Sequence, residues 1–66
     1  MDNKEIDLNA GLICLILDTL GDMQINELEK LTELNAIEFN LALGWLVRAD
    51  NILFYDYNFQ KWIHLL

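Results

Sequence analysis

Apolar side chains recur every three or four residues early in the chain, which is the spacing of a helix with one buried face. Asn9 is a favourable N-cap and Gly21 a favourable stop, so the pattern predicts a helix from Asn9 to about Leu20. Residues 1–8 carry four charges and are predicted to be a loosely ordered lead-in. Ala10, Cys14 and Leu15 extend the apolar surface beyond one face, so we expect this helix to be covered from more than one side. The predicted buried face consists of Leu12, Ile13, Ile16, Leu17 and Leu20.

Two further helix starts are marked by an Asn that is followed three residues later by a Glu. Asn26 with Glu29, and Asn35 with Glu38, both match the capping box, with Asn in place of Ser or Thr. Such a pair satisfies the backbone N–H groups that the first turn of a helix leaves without partners. The spacing therefore predicts two consecutive helices joined by a three-residue turn, which is a helix-turn-helix unit.

The extents of these elements follow from the apolar spacing around the two caps. Residues 23–25 alternate like a very short strand. The next helix is predicted over 27–32, and the third from residue 36 to about residue 49. Asn51 is expected to adopt the left-handed conformation that ends the third helix.

After Asn51 the apolar spacing changes from 3.6 to 2 residues. The segments 52–57 and 62–65 are rich in β-branched and aromatic residues, so they predict a hairpin with a loop over 58–61. The resulting order, α-β-α-α-β-β, describes an α+β winged helix-turn-helix fold, with three helices and a small antiparallel sheet. We expect one domain over residues 1–66.

Two segments of the chain resemble a known family. Asn9-Ala10-Gly11 opens the first predicted helix, and Leu41-Ala42-Leu43-Gly44-Trp45-Leu46-Val47-Arg48 lies within the third. Together they resemble a family of small winged helix-turn-helix domains of unknown function, found mainly in Bacteroides-like bacteria. The resemblance extends over nearly the whole chain. It implies the fold and implies no activity.

Length and composition restrict how so small a domain is stabilised. The chain has 66 residues, of which 55% are hydrophobic, and Cys14 is its only cysteine, so no disulfide forms within it. His64 is the only histidine, which leaves no pair of soft ligands for zinc. An unusually apolar core or self-association remains as the source of stability.

The acidic balance of the chain disfavours several partners. Eleven acidic and four basic residues give a net charge of −7, which repels nucleic acid and anionic membranes. No segment reaches the roughly 20 apolar residues of a membrane span. The start of the chain lacks a basic signal-peptide region, and we expect a reducing, cytoplasmic location.

The sequence offers no constellation for catalysis. Serine is absent, and Cys14 lies within an apolar helix, where burial raises the pKa of a thiol. His64 is expected to alternate with its apolar neighbours rather than to bind a ligand. The three glycines are dispersed and form no phosphate-binding loop. We therefore predict no catalytic residues, no metal, no cofactor and no small-molecule substrate.

The third predicted helix carries two opposed apolar stripes. The stripe assigned to the core comprises Phe39, Ala42, Leu43, Leu46 and Val47. The stripe assigned to a partner interface comprises Ile37, Leu41, Gly44, Trp45 and Arg48. A helix with two such stripes must be covered twice, either by a partner or by the hairpin or N-terminal segment of the same chain. Gly44 suggests a close approach by another backbone or ring, and Arg48 lies within reach of the Trp45 ring.

Two functions from different classes remain. The first is a non-catalytic module that acts through self-association, with a homodimer favoured, or through binding another protein. The alternative is a transcription regulator that binds DNA as a dimer, with Asn40 reading a base, and Arg48 and Lys61 touching phosphates. Four basic residues are too few for the phosphate contacts that usually carry DNA affinity, so nucleic acid is disfavoured without being excluded.

Overall fold

The computed structural model describes residues 2–66. Three helices stand beside a three-stranded antiparallel sheet whose strand order is β1-β3-β2. One hydrophobic core lies between the helices and one face of the sheet. The predicted order of elements and the winged helix-turn-helix fold are confirmed. The elements are α1 (Asn3–Leu20), β1 (Met23–Gln24), α2 (Ile25–Thr32), α3 (Ala36–Arg48), β2 (Ile52–Tyr57) and β3 (Gln60–Leu65).

The first helix begins seven residues earlier than predicted, because its N-cap is Asp2 and not Asn9. Asp2 is its N-cap, and the Asp2 carboxylate accepts a 2.8 Å hydrogen bond from the backbone N–H of Glu5. The lead-in was predicted over residues 1–8, of which Met1 lies outside the described residues. Asp2 is the N-cap, and residues 3–8 form the first turns of α1. The prediction was wrong because an acidic cap and Glu5 both stabilise the positive end of a helix, so charges near the start favour the helix.

Only one side of α1 is covered by the rest of the chain. Its buried residues are Ala10, Ile13 and Leu17. The expectation of cover from more than one side, and of burial for Leu12 and Leu20, is therefore wrong for the single chain. One sheet and two short helices do not supply enough surface to surround a helix of 18 residues.

The two predicted capping boxes have different outcomes. At Asn35 the box is complete, because its side chain accepts from the Glu38 N–H at 2.8 Å while the Glu38 carboxylate accepts from the Asn35 N–H at 3.1 Å. The Asn26 box is wrong, since α2 starts at Ile25 with Gln24 as a cap that makes no side-chain hydrogen bond. Gln24 is held instead by pairing with β3, which sets where the helix can begin.

The end of α3 lies one residue before its predicted position. The Asn51 N–H donates to the carbonyl of Leu46 at 3.0 Å, and the Asp50 N–H donates to that of Val47 at 3.1 Å. This is the Schellman arrangement, in which the residue before the last donor is left-handed. That residue is Asp50, with φ of 57°, and not Asn51.

The hairpin has a shorter turn than predicted. Asn58 and Phe59 both have positive φ, 57° and 65°, as in a two-residue type I′ turn. As a result β3 begins at Gln60, and Tyr57 pairs with Gln60. The predicted loop over 58–61 was two residues too long because Phe59 is not a residue that usually signals such a turn.

The core is built from all three helices and the sheet. Within α3, Val47 was assigned to the core but is 42% exposed, whereas the other four residues of that stripe are buried. Cys14 is half-buried and packs against the rim of the core rather than within it. The fully buried large side chains are Phe39, Ile13, Leu28 and Ile63.

Candidate functional site

An open groove of about 790 Å³ runs between α3, the N-terminal end of α1 and the strand β2. Four of the five residues predicted as a partner interface line it: Leu41, Gly44, Trp45 and Arg48. Ile37, the fifth, lies one turn before Leu41 and does not line the groove, but it is 71% exposed. Most of the predicted stripe therefore forms one wall of a groove.

The stripe keeps much of its surface exposed. Leu41 and Trp45 are 42% and 36% exposed, so the chain leaves part of each residue uncovered. Gly44 lies between them along the helix, and a Cβ built there would have no atom of the chain within 4 Å beyond the helix itself. The close approach expected at Gly44 is therefore not made by residues 2–66 themselves.

The other walls come from segments that are distant in sequence. Asn3 and Ile6 of α1 border the groove at one end, and Phe54 of β2 borders it at the side. The hairpin and the N-terminal segment were the predicted intrachain cover for this stripe. They flank it and leave it open.

Sequence reasoning missed Ile6 and Phe54 because they meet the stripe only through the tertiary fold. For Phe54 a partial signal exists, since it alternates with Ile52 on the strand and must share a face with it. Phe54 is opposite Ile63, which is fully buried, and so it lies on the helix side of the sheet. Nothing in the spacing of α1 indicates that Ile6 would lie near α3.

The groove lining is nearly free of charge. Its members are Asn3, Ile6, Ile25, Asn40, Leu41, Leu43, Gly44, Trp45, Val47, Arg48 and Phe54. Arg48 is the only charged residue among them, although the chain carries eleven acidic residues. The groove is thus an apolar surface on an otherwise strongly acidic protein.

A second apolar surface lies on the outside of α1. Leu8, Leu12 and Leu15 are spaced by four and three residues, which puts them on one side of that helix, and all three are exposed. None of them lines the groove. This stripe provides a matched comparison for tests of the groove.

The residues considered for DNA contact are not brought together as a basic surface. Asn40 and Arg48 line the groove, whereas Lys61 lies on the hairpin, where its ammonium is 3.3 Å from the carboxylate of Asp56. The Lys30 ammonium is likewise 3.7 Å from a carboxylate, that of Glu27. Two of the four basic side chains are therefore paired with acidic groups on the same chain.

The two residues considered for catalysis have separate environments. Cys14 packs against the core, and desolvation raises the pKa of its thiol. His64 lies on the outer face of the sheet, where its Nδ1 is 2.7 Å from a carboxylate oxygen of Asp22. Cys14 contacts the core and His64 contacts Asp22, so the two do not form a pair of nucleophile and general base.

A hydrogen-bonded cluster on the outer sheet face was not predicted. The Tyr55 hydroxyl donates to the second carboxylate oxygen of Asp22 at 2.7 Å, so Asp22 contacts both Tyr55 and His64. The hydrogen bond from Tyr55 is the largest cause of the lowered pKa of Asp22, followed by the contact with His64. The same bond raises the pKa of Tyr55. The cluster ties the turn before β1 to both strands of the hairpin.

A family model described as a winged helix-turn-helix domain (DUF2582) matches residues 1–65. The chain belongs to this family. The predicted resemblance to a winged helix-turn-helix family of unknown function is thereby confirmed. No curated protein and no solved structure matches the chain.

Membership in this winged helix-turn-helix family supports general statements about function. Winged helix-turn-helix domains as a class are generally non-catalytic, and many of them bind DNA. Over residues 2–66 no helix is both long and apolar enough to cross a membrane. In the same part of the chain, no three His, Cys, Asp or Glu side chains are grouped as metal ligands would be.

Proposed function

We propose that the chain is a non-catalytic winged helix-turn-helix module that acts by binding protein through the groove along α3, with a second copy of itself as the favoured partner. The observation that carries this proposal is the open apolar groove itself, in which Leu41 and Trp45 stay exposed. Tryptophan and arginine are the residue types enriched at the energetic centres of interfaces, and Trp45 and Arg48 lie one turn apart. A reducing, cytoplasmic location is also part of the proposal.

The charge distribution favours the groove as the place where two copies meet. Two chains of net charge −7 repel each other at long range. A contact surface without acidic side chains keeps like charges farthest apart when the copies touch. The groove meets this condition, since Arg48 is the one charged residue that lines it among residues 2–66.

Light scattering on a size-exclusion peak tests the proposal. At micromolar concentration we expect a mass of twice the 7.7 kDa of the single chain. Leu41→Lys should return the mass to that of the single chain, because it places a charge in the apolar contact. Leu15→Lys, on the outer stripe of α1, is the matched control and should leave the dimer intact.

Two results would overturn this assignment. A parent mass near 7.7 kDa throughout the micromolar range would argue against self-association. Dissociation by Leu15→Lys but not by Leu41→Lys would locate the interface on α1 instead.

DNA binding is separated from protein binding by salt dependence. Affinity that comes from phosphate contacts falls steeply as salt rises. We expect any binding of duplex DNA seen at low salt to be lost at ~150 mM salt. The reason is that the groove offers only one basic side chain, Arg48, for contacts with phosphates. Sequence-preferring binding that survives this salt concentration would favour the regulator alternative, with Asn40, Arg48 and Lys61 as its contacts.

A further inference from the structure

The face of the sheet that points away from the core is aromatic. Trp62 alternates along β3 with the fully buried Ile63, so its side chain points outward, and Tyr55 is its cross-strand partner. The rings of Tyr55 and Trp62 lie nearly parallel, with centroids 6.4 Å apart, and the Tyr57 ring meets Trp62 edge-on at 6.1 Å. An outer sheet face usually carries polar side chains. Three clustered aromatic rings on this face therefore suggest a contact beyond the chain itself.

Trp62 is not explained by hydrogen bonding within the chain. Its indole N–H is buried and has no acceptor among residues 2–66. A buried donor without an acceptor is uncommon in folded proteins and lowers their stability. The contribution of Trp62 therefore comes from the packing of its ring.

An open pocket of about 190 Å³ lies beside Trp62, on the side of β1. The turn before β1 and the first turn of α2 each supply one carboxylate to it, those of Asp22 and Glu27. Tyr55 and Tyr57 do not line the pocket, and within residues 2–66 no basic residue does. The pocket thus combines one aromatic ring with two acidic groups. Its lining residues are Asp22, Met23, Gln24, Glu27 and Trp62.

Both carboxylates remain available to a ligand. The Tyr55 hydroxyl and His64 Nδ1 each contact one oxygen of Asp22 at 2.7 Å, and they hold the pKa of Asp22 below its usual value. Each carboxylate oxygen can accept a second hydrogen bond. Glu27 is 3.7 Å from the Lys30 ammonium, but both side chains are more than half exposed, so this ion pair is weak.

We propose that this pocket binds an arginine side chain of another protein, with the guanidinium group placed between the Trp62 ring and the carboxylates of Asp22 and Glu27. The site is separate from the proposed self-association, because no residue of the pocket lines the groove along α3. The chain has a single arginine, Arg48, which lines that groove. The arginine therefore comes from a different protein and not from a second copy.

The chemistry of the pocket favours arginine over other side chains. A cation is attracted both by the face of a tryptophan ring and by carboxylates. A planar guanidinium stacks on an aromatic ring and donates a fork of hydrogen bonds, whereas an ammonium is a strongly hydrated point charge. An apolar side chain would desolvate the carboxylates without giving them partners. The net charge of −7 also attracts basic partners at long range.

An NMR titration of the whole ¹⁵N-labelled chain with the peptide acetyl-Gly-Arg-Gly-amide tests the proposal. We expect saturating shift changes at the Trp62 indole N–H and at the backbone amides of residues 22–24 and 27. The control peptide carries citrulline in place of arginine, which has nearly the same shape and no charge. It should bind about tenfold or more weakly, because it lacks the charge that the ring and the carboxylates attract.

Two variants of α2 separate the pocket from general attraction to an acidic surface. Glu27→Gln and Glu29→Gln each remove one negative charge, but Glu29 lines a different pocket. Glu27→Gln should weaken binding of the arginine peptide by about fivefold, and Glu29→Gln by less than about twofold. Neither variant should change the mass measured by light scattering, since neither residue lines the groove.

The outcomes separate this site from the proposed function. Saturating shifts that depend on the peptide charge and on Glu27 would support the site. Equal binding of the arginine and citrulline peptides, or equal weakening by Glu27→Gln and Glu29→Gln, would overturn it, as would the absence of shifts at ~10 mM peptide. Tighter binding of the corresponding lysine peptide would overturn the choice of arginine. A single-chain mass in light scattering would overturn self-association and leave this site standing.

Discussion

Two faces of α3 carry large apolar residues, but the fold buries only one of them. Phe39, Ala42, Leu43 and Leu46 are buried against α1 and the sheet. On the other side, Leu41 and Trp45 remain exposed between two walls that do not close over them. In this domain only one side of α3 is fully covered. The second stripe therefore becomes a groove, and its use depends on what binds there.

The outer stripe of α1 sharpens this comparison. Leu8, Leu12 and Leu15 are also exposed apolar residues, but none of them lines the groove. Concave surfaces surround an inserted side chain and remove more of its area from water than flat ones do. We therefore expect variants in the core face of α3 to impair folding and variants in the groove to impair association. Variants in the α1 stripe should affect neither.

The largest effect is expected on the core face. Phe39→Ala removes a fully buried ring and should lower the free energy of unfolding by about 3–5 kcal/mol, which is most of the stability of a domain this small. Urea denaturation followed by circular dichroism measures it. Ile37→Ala, on the exposed side of the same helix, is the control and should change stability by about 0.5 kcal/mol or less. Similar losses for both variants would contradict the distinction between the faces.

The next effect concerns association. Trp45→Lys should abolish the dimer while helical content persists at high protein concentration, because Trp45 is exposed in the single chain. The unfolding midpoint of the parent should rise with protein concentration, and that of the variant should not. A parent midpoint that is independent of concentration, together with an unfolded Trp45→Lys variant, would instead assign Trp45 to the core.

A smaller effect is expected at the tip of the hairpin. Phe59 is fully exposed and has a φ of 65°, which is unfavourable for a residue with a Cβ. Phe59→Gly should raise stability by about 1 kcal/mol without changing association, since the side chain has no packing to lose. Thermal unfolding measures the gain. Phe59→Ala keeps the Cβ and should give no such gain, and a gain from both variants would argue against backbone strain as the cause.

The smallest effect is expected on the outer sheet face. The folded chain lowers the pKa of Asp22 below its usual 3.8, chiefly through the hydrogen bond from Tyr55. The stabilisation is therefore present above the unfolded pKa and is lost as the pH falls through the folded value. Asp22→Asn should be less stable than the parent at neutral pH, and the difference should shrink below about pH 4.

An NMR titration of Asp22 supplies the companion measurement. Tyr55→Phe removes the donor hydroxyl and should move the pKa of Asp22 back toward 3.8. Neither variant should alter association, because the cluster lies on the opposite side of the sheet from the groove. An Asp22 pKa that is unchanged in Tyr55→Phe would contradict the assigned cause.

Local interactions explain which parts of the fold were predictable. The Asn35–Glu38 box was found from sequence because both of its hydrogen bonds join residues three apart. The Asn26 box has the same residues at the same spacing but fails, since pairing of Gln24 with Trp62 moves the helix start. The end of α3 was predicted to within one residue, because its closing hydrogen bonds also join residues that are close in sequence. The caps of α3, whose partners are close in sequence, could be assigned, whereas the start of α2, which pairing with β3 sets, could not.

The candidate site divides in the same way. Sequence alone determined that α3 carries two apolar stripes, because helical periodicity depends only on spacing along the chain. Only the tertiary structure decided that Val47 leaves the core, that Phe54 and Ile6 become walls of a groove, and that Asp22 contacts Tyr55 and His64. These arrangements join separate elements of the chain, and their geometry is determined by how the sheet and helices pack. Periodicity shows that a surface must be covered, whereas packing decides which surface remains open.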